Sequence, residues 1–203
     1  MLDMPAYEVA AATIRQEHHS LGLVVEVLQR LLADIDKQHA QPDFALFAAA
    51  LHYIEDFPER CHHPKEDQHL FDVLRRRTSE FNATLDELQA DHIRSGQMVG
   101  YMERALVRFQ AGAADGLARF KKAVDAYAVM LHQHMETEEI VIERAREILT
   151  VDDWQRIAAA FEANDDPLFG ANGREEFRKL YLRIMNLLPR KMRLHAVTDH
   201  AEQ

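Results

Sequence analysis

The chain has a single cysteine in 203 residues, Cys61, so an intrachain disulfide is excluded. One unpaired thiol fits a reducing compartment, and the cytoplasm is the expected location. Glycine (7) and proline (6) are scarce, which argues against a fold rich in turns and fits long helices. Positive charge is also in deficit: the net charge is −10, so neither nucleic acid nor an anionic membrane surface is an expected partner. No apolar run reaches the about eighteen residues that a membrane-spanning helix needs. The N-terminal MLDMPAYEV lacks the basic region and apolar run of a signal peptide. What the chain does have is a 47% apolar content, enough length for one sizeable core, and twelve histidines outside any tag-like run. That last count raises a metal hypothesis.

Apolar residues recur at steps of three and four, the spacing of helices with one buried face. The pattern predicts four long helices, over about residues 7–39, 43–77, 78–111 and 115–149. Asp43 is an expected N-cap for the second, and Thr78 or Ser79 for the third. Pro58 falls inside the second helix and should kink or break it. Gly112 and Gly116 flank the turn into the fourth. Thr150 and Asp153 form an acidic variant of a capping box for a shorter helix, and a last helix runs to about residue 188. Four long helices with short turns predict an all-α, up-down-up-down four-helix bundle over 1–150. A helical extension with a polar tail follows over 151–203.

The seams are interrupted at particular places. His18, His62, Glu66, His92, His134 and Glu138 all fall in stripes that should be buried. Buried carboxylates must be paired, protonated or bound to a cation. Chain lengths from each histidine to the nearest turn match to within about two residues, or about 3 Å of helix rise, so the four histidines should share one layer. His62/Glu66 and His134/Glu138 are spaced i,i+4 and so occupy one helical face. Four imidazoles and two carboxylates suit two divalent metals, each taking two histidines, with both glutamates bridging. These donors suit iron, with manganese or zinc as alternatives. His18 is preferred to His19 because it keeps the register of Ile14, Leu21 and Val25. His62 is preferred to His63 because it reproduces the His134/Glu138 spacing.

The segments IRQEHHSL, HHPKEDQHLF, LQADH and HQHMETEE resemble the four ligand segments of the bacterial hemerythrin-like (HHE cation-binding) family. The resemblance spans about residues 7–149. It implies His18, His62, Glu66, His92, His134 and Glu138 as ligands of two iron ions, with Glu66 and Glu138 as bridges. Two departures stand out. The oxygen-carrying hemerythrins have a second histidine four residues after the one in helix three, where this chain has Gly96. They also have an aspartate five residues after the helix-four histidine, where this chain has Glu139, with Glu138 one step nearer. Gly96 and Gly100 are therefore expected to leave space beside the metals.

The expected function is a non-heme di-iron protein that binds or senses a small redox ligand, dioxygen or nitric oxide, in stress response or iron handling. A di-iron enzyme reducing nitric oxide or peroxide is the second reading. A metal-stabilised structural or partner-binding bundle is the third. Trp154, Ile157, Phe161, Phe169, Phe177 and Ile184 in the extension are expected to cover one end or groove of the bundle, with a homodimer surface as the alternative. Arg190, Lys191 and Arg193 read as a solvated end. His69 and Tyr127 lie on the ligand faces, as donors to the site or as core.

Overall fold

A computed structural model describes residues 5–38, 40–169 and 175–187. Its described residues form six helices and no strand: α1 (Ala6–Gln38), α2 (44–77), α3 (Asn82–Gln110), α4 (Gly116–Ala145), α5 (Val151–Glu162) and α6 (Arg178–Leu187). A short 3-10 turn, Glu175–Phe177, precedes α6. His39 and the basic cluster Arg190, Lys191 and Arg193 lie outside the described residues.

Capping chemistry sets several boundaries. The Asp43 carboxylate accepts from the Leu46 N–H at 3.0 Å and starts α2. Thr150 and Asp153 make a reciprocal capping box at the head of α5. Thr78 does not cap α3. Its hydroxyl accepts from the Glu80 N–H at 3.1 Å, and α3 begins at Asn82 without a side-chain cap. Gly112 has φ 75°, which glycine tolerates best, and an added Cβ at Gly116 would come within 2.6 Å of the Phe109 Cα. Those two positions allow the tight passage from α3 to α4.

Side-chain pairs give the helix directions. Along α1 and α4 the partners run Asp36–Lys121, Gln29–Asp125, Arg15–Glu139 and Tyr7–Glu143, so the two helices are antiparallel. Along α2 and α3 they run Glu59–Ser95, Asp67–His92 and Arg75–Asp86, again antiparallel. Phe109–Phe120, Ser95–Tyr127 and His92–His134 show the same for α3 and α4.

The α2 helix is not uniform. Residues Glu55–His62 and Glu66–Phe71 are π-helical, with α-helical His63–Lys65 between them. Pro58 has no N–H to give an ordinary turn, and its carbonyl accepts from the His63 N–H across the wider loop. The interruption expected at Pro58 takes the form of a π-helical widening of the turn.

The apolar core is divided. One cluster runs up to Leu21, Phe57, Val99 and Leu131, and also takes in Leu168, Phe177, Leu180 and Ile184 from the C-terminal segment. The other begins at Ile14, Leu70, Leu88 and Val141 and includes Trp154, Ile157 and Phe161 of α5. Each of the four long helices passes from one cluster to the other, and a polar layer lies between them. Among the described residues, α5 lies along α1, and the Trp154 ring meets the Tyr7 ring edge-on at 5.0 Å.

Candidate metal centre

The polar layer holds all six residues singled out in the seams, and a seventh, His63. Six are buried, with Glu66 and Glu138 only 0% and 1% exposed; the His18 side chain is 12% exposed. Donor atoms of His18, His62 and Glu66 form one tight group, and those of His63, Glu66, His92 and His134 another, each within 4.8 Å. Glu66 belongs to both. Its Oε1 is 3.0 Å from His62 Nε2 and 3.4 Å from His18 Nε2, while its Oε2 is 3.4 Å from His92 Nε2. Glu138 also reaches both sides, chiefly through one oxygen. Its Oε2 is 3.2 Å from His18 Nε2 and 3.3 Å from His134 Nε2, and its Oε1 is 3.8 Å from His92 Nε2.

His62 was preferred to His63 in the sequence because only His62 reproduces the i,i+4 spacing of His134 and Glu138, which assumes a regular α-helix. The widened turns on either side of 63–65 bring both rings into one layer. The His63 ring stacks on His92 at 4.3 Å and meets His134 edge-on at 5.9 Å. The available signal was the double histidine set between Pro58 and Pro64. His19 is exposed and faces away from the layer.

A second ring of carboxylates lies behind the imidazoles. His62 Nδ1–H donates to Glu17 Oε2 at 2.6 Å, and His92 Nδ1–H donates to Asp67 Oδ1 at 3.1 Å. Asp91 Oδ2 lies 3.8 Å from His134 Nδ1, and Glu59 Oε2 lies 3.6 Å from His63 Nδ1. A proton fixed on Nδ1 leaves the Nε2 lone pair facing inward, the orientation a metal requires. Reading the apolar seams alone missed Glu17, Glu59, Asp67 and Asp91. Each is close in sequence to a seam residue but sits on the flank of its helix.

The space expected beside Gly96 is filled. A Cβ there would meet Glu59 Oε2 at 3.3 Å, and one at Gly100 would meet the Arg104 guanidinium at 3.3 Å. Glu59 also accepts a short hydrogen bond from Ser95, whose hydroxyl lies 3.3 Å from that of Tyr127. The opening is elsewhere. A groove of about 710 Å³ between α1 and α4 is lined by Arg15, His19, Gly22, Leu23 and Met135 and has His18 in its wall. His69 is not beside the layer; it lines a separate surface pocket with Arg76, Arg77 and Arg156.

The electrostatics are those of a site built for cations. Burial alone would lower the histidine pKa values. At His18 the carboxylates of Glu138 and Glu66 outweigh burial and raise it to about 9. At His62 burial is outweighed by Glu66 and Glu17, giving about 10. At His92 it is outweighed by Asp67, Glu138 and Glu66, giving about 12. His63 is lowered, because burial dominates there. Burial pushes the pKa of Glu66 up, but His62, His18 and His92 hold it well below the usual carboxylate range. Glu138 is also lowered, with burial and the charge of Glu66 opposed by His134 and His18. All four oxygens of Glu66 and Glu138 are buried without a hydrogen-bond donor in proper geometry. Orphaned carboxylate oxygens facing inward imidazole nitrogens are what a divalent metal would satisfy. The residues present fit such an ion.

Comparison with known proteins agrees with this chemistry. A family model described as Hemerythrin HHE cation binding domain matches residues 9–145, more than half of the chain. No curated protein and no solved structure matches the chain. The family is one of cation-binding domains, and the buried His/Glu cluster fits a metal site.

Proposed function

We propose, from the premise that this chain belongs to the hemerythrin HHE cation-binding domain family, that it is a non-heme di-iron protein binding dioxygen or nitric oxide. The scaffold is read as an up-down-up-down four-helix bundle over 1–150, with 151–203 as a helical extension packed on it. His18, His62, Glu66, His92, His134 and Glu138 are the proposed ligands, joined by His63. Zinc or manganese would be accepted by the same donors. The observation that carries the reading is Glu66, which offers one oxygen to the His18/His62 group and the other to the His92 group. A single cation would use only one of these groups.

When bound, the iron pair would supply redox electrons and open coordination positions for a small ligand. The chain's own part is to hold, orient and exclude water. Glu17 and Asp67 lock the His62 and His92 tautomers, and the two apolar clusters close the layer from above and below. The three-histidine group leaves less room than the two-histidine group. His18, of the smaller group, also borders the groove. A diatomic ligand would therefore enter between α1 and α4 and bind on the His18 side. The test is anaerobic loading with iron followed by oxygen or nitric oxide. A reversible charge-transfer band supports binding, and zinc occupancy with no spectral response refutes it.

An enzyme reducing nitric oxide or peroxide is a second reading, and one observation favours it. Ser95 donates to Glu59 and lies 3.3 Å from the Tyr127 hydroxyl, and Glu59 Oε2 approaches His63 Nδ1 to 3.6 Å. Such a chain could pass protons to a reduced substrate. Repeated consumption of nitric oxide or peroxide with a reductant, at many turnovers per site, would establish it.

A further inference from the structure

The residue that hydrogen-bonds His62 from behind is itself held from outside the matched domain. Asn164, in the loop after α5, donates from its amide nitrogen to both oxygens of Glu17, at 2.9 and 3.1 Å. Glu17 in turn accepts from His62 Nδ1–H at 2.6 Å, and is only 7% exposed. Phe161 meets the His62 ring edge-on at 5.9 Å, and the Ala160 carbonyl accepts from Lys65 Nζ at 2.7 Å, just before Glu66. These contacts fall on the His18/His62/Glu66 group. Its counterpart, His63/His92/His134, is braced from within the matched residues, by Asp67 on His92.

We propose that the C-terminal segment, through Asn164 acting on Glu17, sets the affinity of one of the two metal positions, the one formed by His18, His62 and Glu66. This inference rests on the two-metal reading above. Asn164 is a positioning residue. Its amide nitrogen fixes the Glu17 carboxylate, which otherwise could rotate. The fixed carboxylate holds His62 in the tautomer whose Nε2 is free for a cation. The matched domain alone would therefore hold one metal firmly and the other loosely, and the extension makes the pair complete.

The test is an anaerobic titration of the full-length protein with Co²⁺, following its visible bands and the isothermal heat. The variants are Asn164→Leu, which keeps the volume and removes both donors, and Asp67→Asn, which perturbs the other group. Wild type should bind two equivalents. Asn164→Leu should weaken one step by up to about 10-fold, the low end of the cost of losing an outer partner of a metal-bound histidine, because Glu17 itself remains. Asp67→Asn should weaken the other step, and the double variant both. Circular dichroism melts of the metal-free proteins check that each variant folds. Two unchanged steps in Asn164→Leu would overturn the proposal and leave the two-metal reading standing. Equal weakening of both steps would also overturn it, because that result reports general loosening. Wild type that binds fewer than two equivalents would remove the reading beneath it.

Discussion

The Nε2 atoms of His92 and His134 lie 3.2 Å apart, with the outer nitrogen of each ring turned toward a carboxylate, Asp67 and Asp91. Two inward lone pairs at that distance repel unless a proton or a cation lies between them. The same holds across the layer, where protons on imidazoles balance Glu66 and Glu138 when no metal is bound.

Metal-free protein should therefore lose stability as pH rises. The folded pKa values of His18, His62 and His92 are raised to about 9, 10 and 12, above the roughly 6.5 of an unfolded histidine. A raised histidine pKa stabilises fully below about 6.5 and loses that contribution as pH climbs through the folded value. The melting temperature without metal should fall by several degrees between pH 7 and 10. With Co²⁺ bound it should stay level, because the cation replaces the protons. At the acid end, Glu66 and Glu138 are depressed, so their contribution disappears as pH drops below about 4.5, and bound metal should leave with it. Paired melts with and without Co²⁺ across pH 2 to 10 check both arms.

Removing a bridging carboxylate should reduce metal content. Glu66→Ala and Glu138→Ala are each expected to hold well below two metals per chain by elemental analysis. Two metals in both variants would refute their assigned roles.

His63 and His19 should behave oppositely, although each adjoins a proposed ligand. His63→Ala removes a buried donor stacked on His92 and should lower metal content to about one per chain. His19→Ala, at the surface, should leave it at two.

This contrast shows what sequence could convey. His18, His92 and His134 were legible because each interrupts a regular apolar seam on an α-helix. Asp43 and the Thr150/Asp153 box were legible because capping is local chemistry. His63 was not, because the wide turns around Pro58 change the angular step that the seam argument assumes. The outer carboxylates were hidden for a different reason. Glu17, Asp67 and Asp91 meet their histidines from the flanks, and only packing shows which flank faces inward. Asn164 meets Glu17 across 147 positions of chain, beyond the reach of any local pattern.

Ligand entry should respond to the α1/α4 groove and not to Gly96. No atom lies within 4 Å of a Cβ placed on Gly22, which lines the groove. Gly22→Leu should slow nitric oxide binding by stopped-flow about tenfold, whereas Gly96→Ala, next to the flexible end of Glu59, should change it less than twofold. The opposite order would restore the Gly96 route.

Asp153 anchors the extension. Its carboxylate accepts from Thr150 in the capping box and from Arg77 at 2.9 and 3.1 Å, and these partners lower its pKa. Asp153→Ala removes the N3 half of the capping box and the Arg77 contacts, and should cost about 1 kcal/mol, the size of a lost capping interaction. Hydrogen exchange should accelerate first in 151–162, the helix it caps.

The central claim is that two cations share one layer through Glu66 and Glu138. It is tested most directly by loading the full-length protein with ⁵⁷Fe(II) without oxygen, counting iron per chain, and recording Mössbauer spectra before and after oxidation. The account predicts two irons per chain that become a spin-coupled diferric pair. One iron per chain, or two that remain magnetically independent, would contradict it.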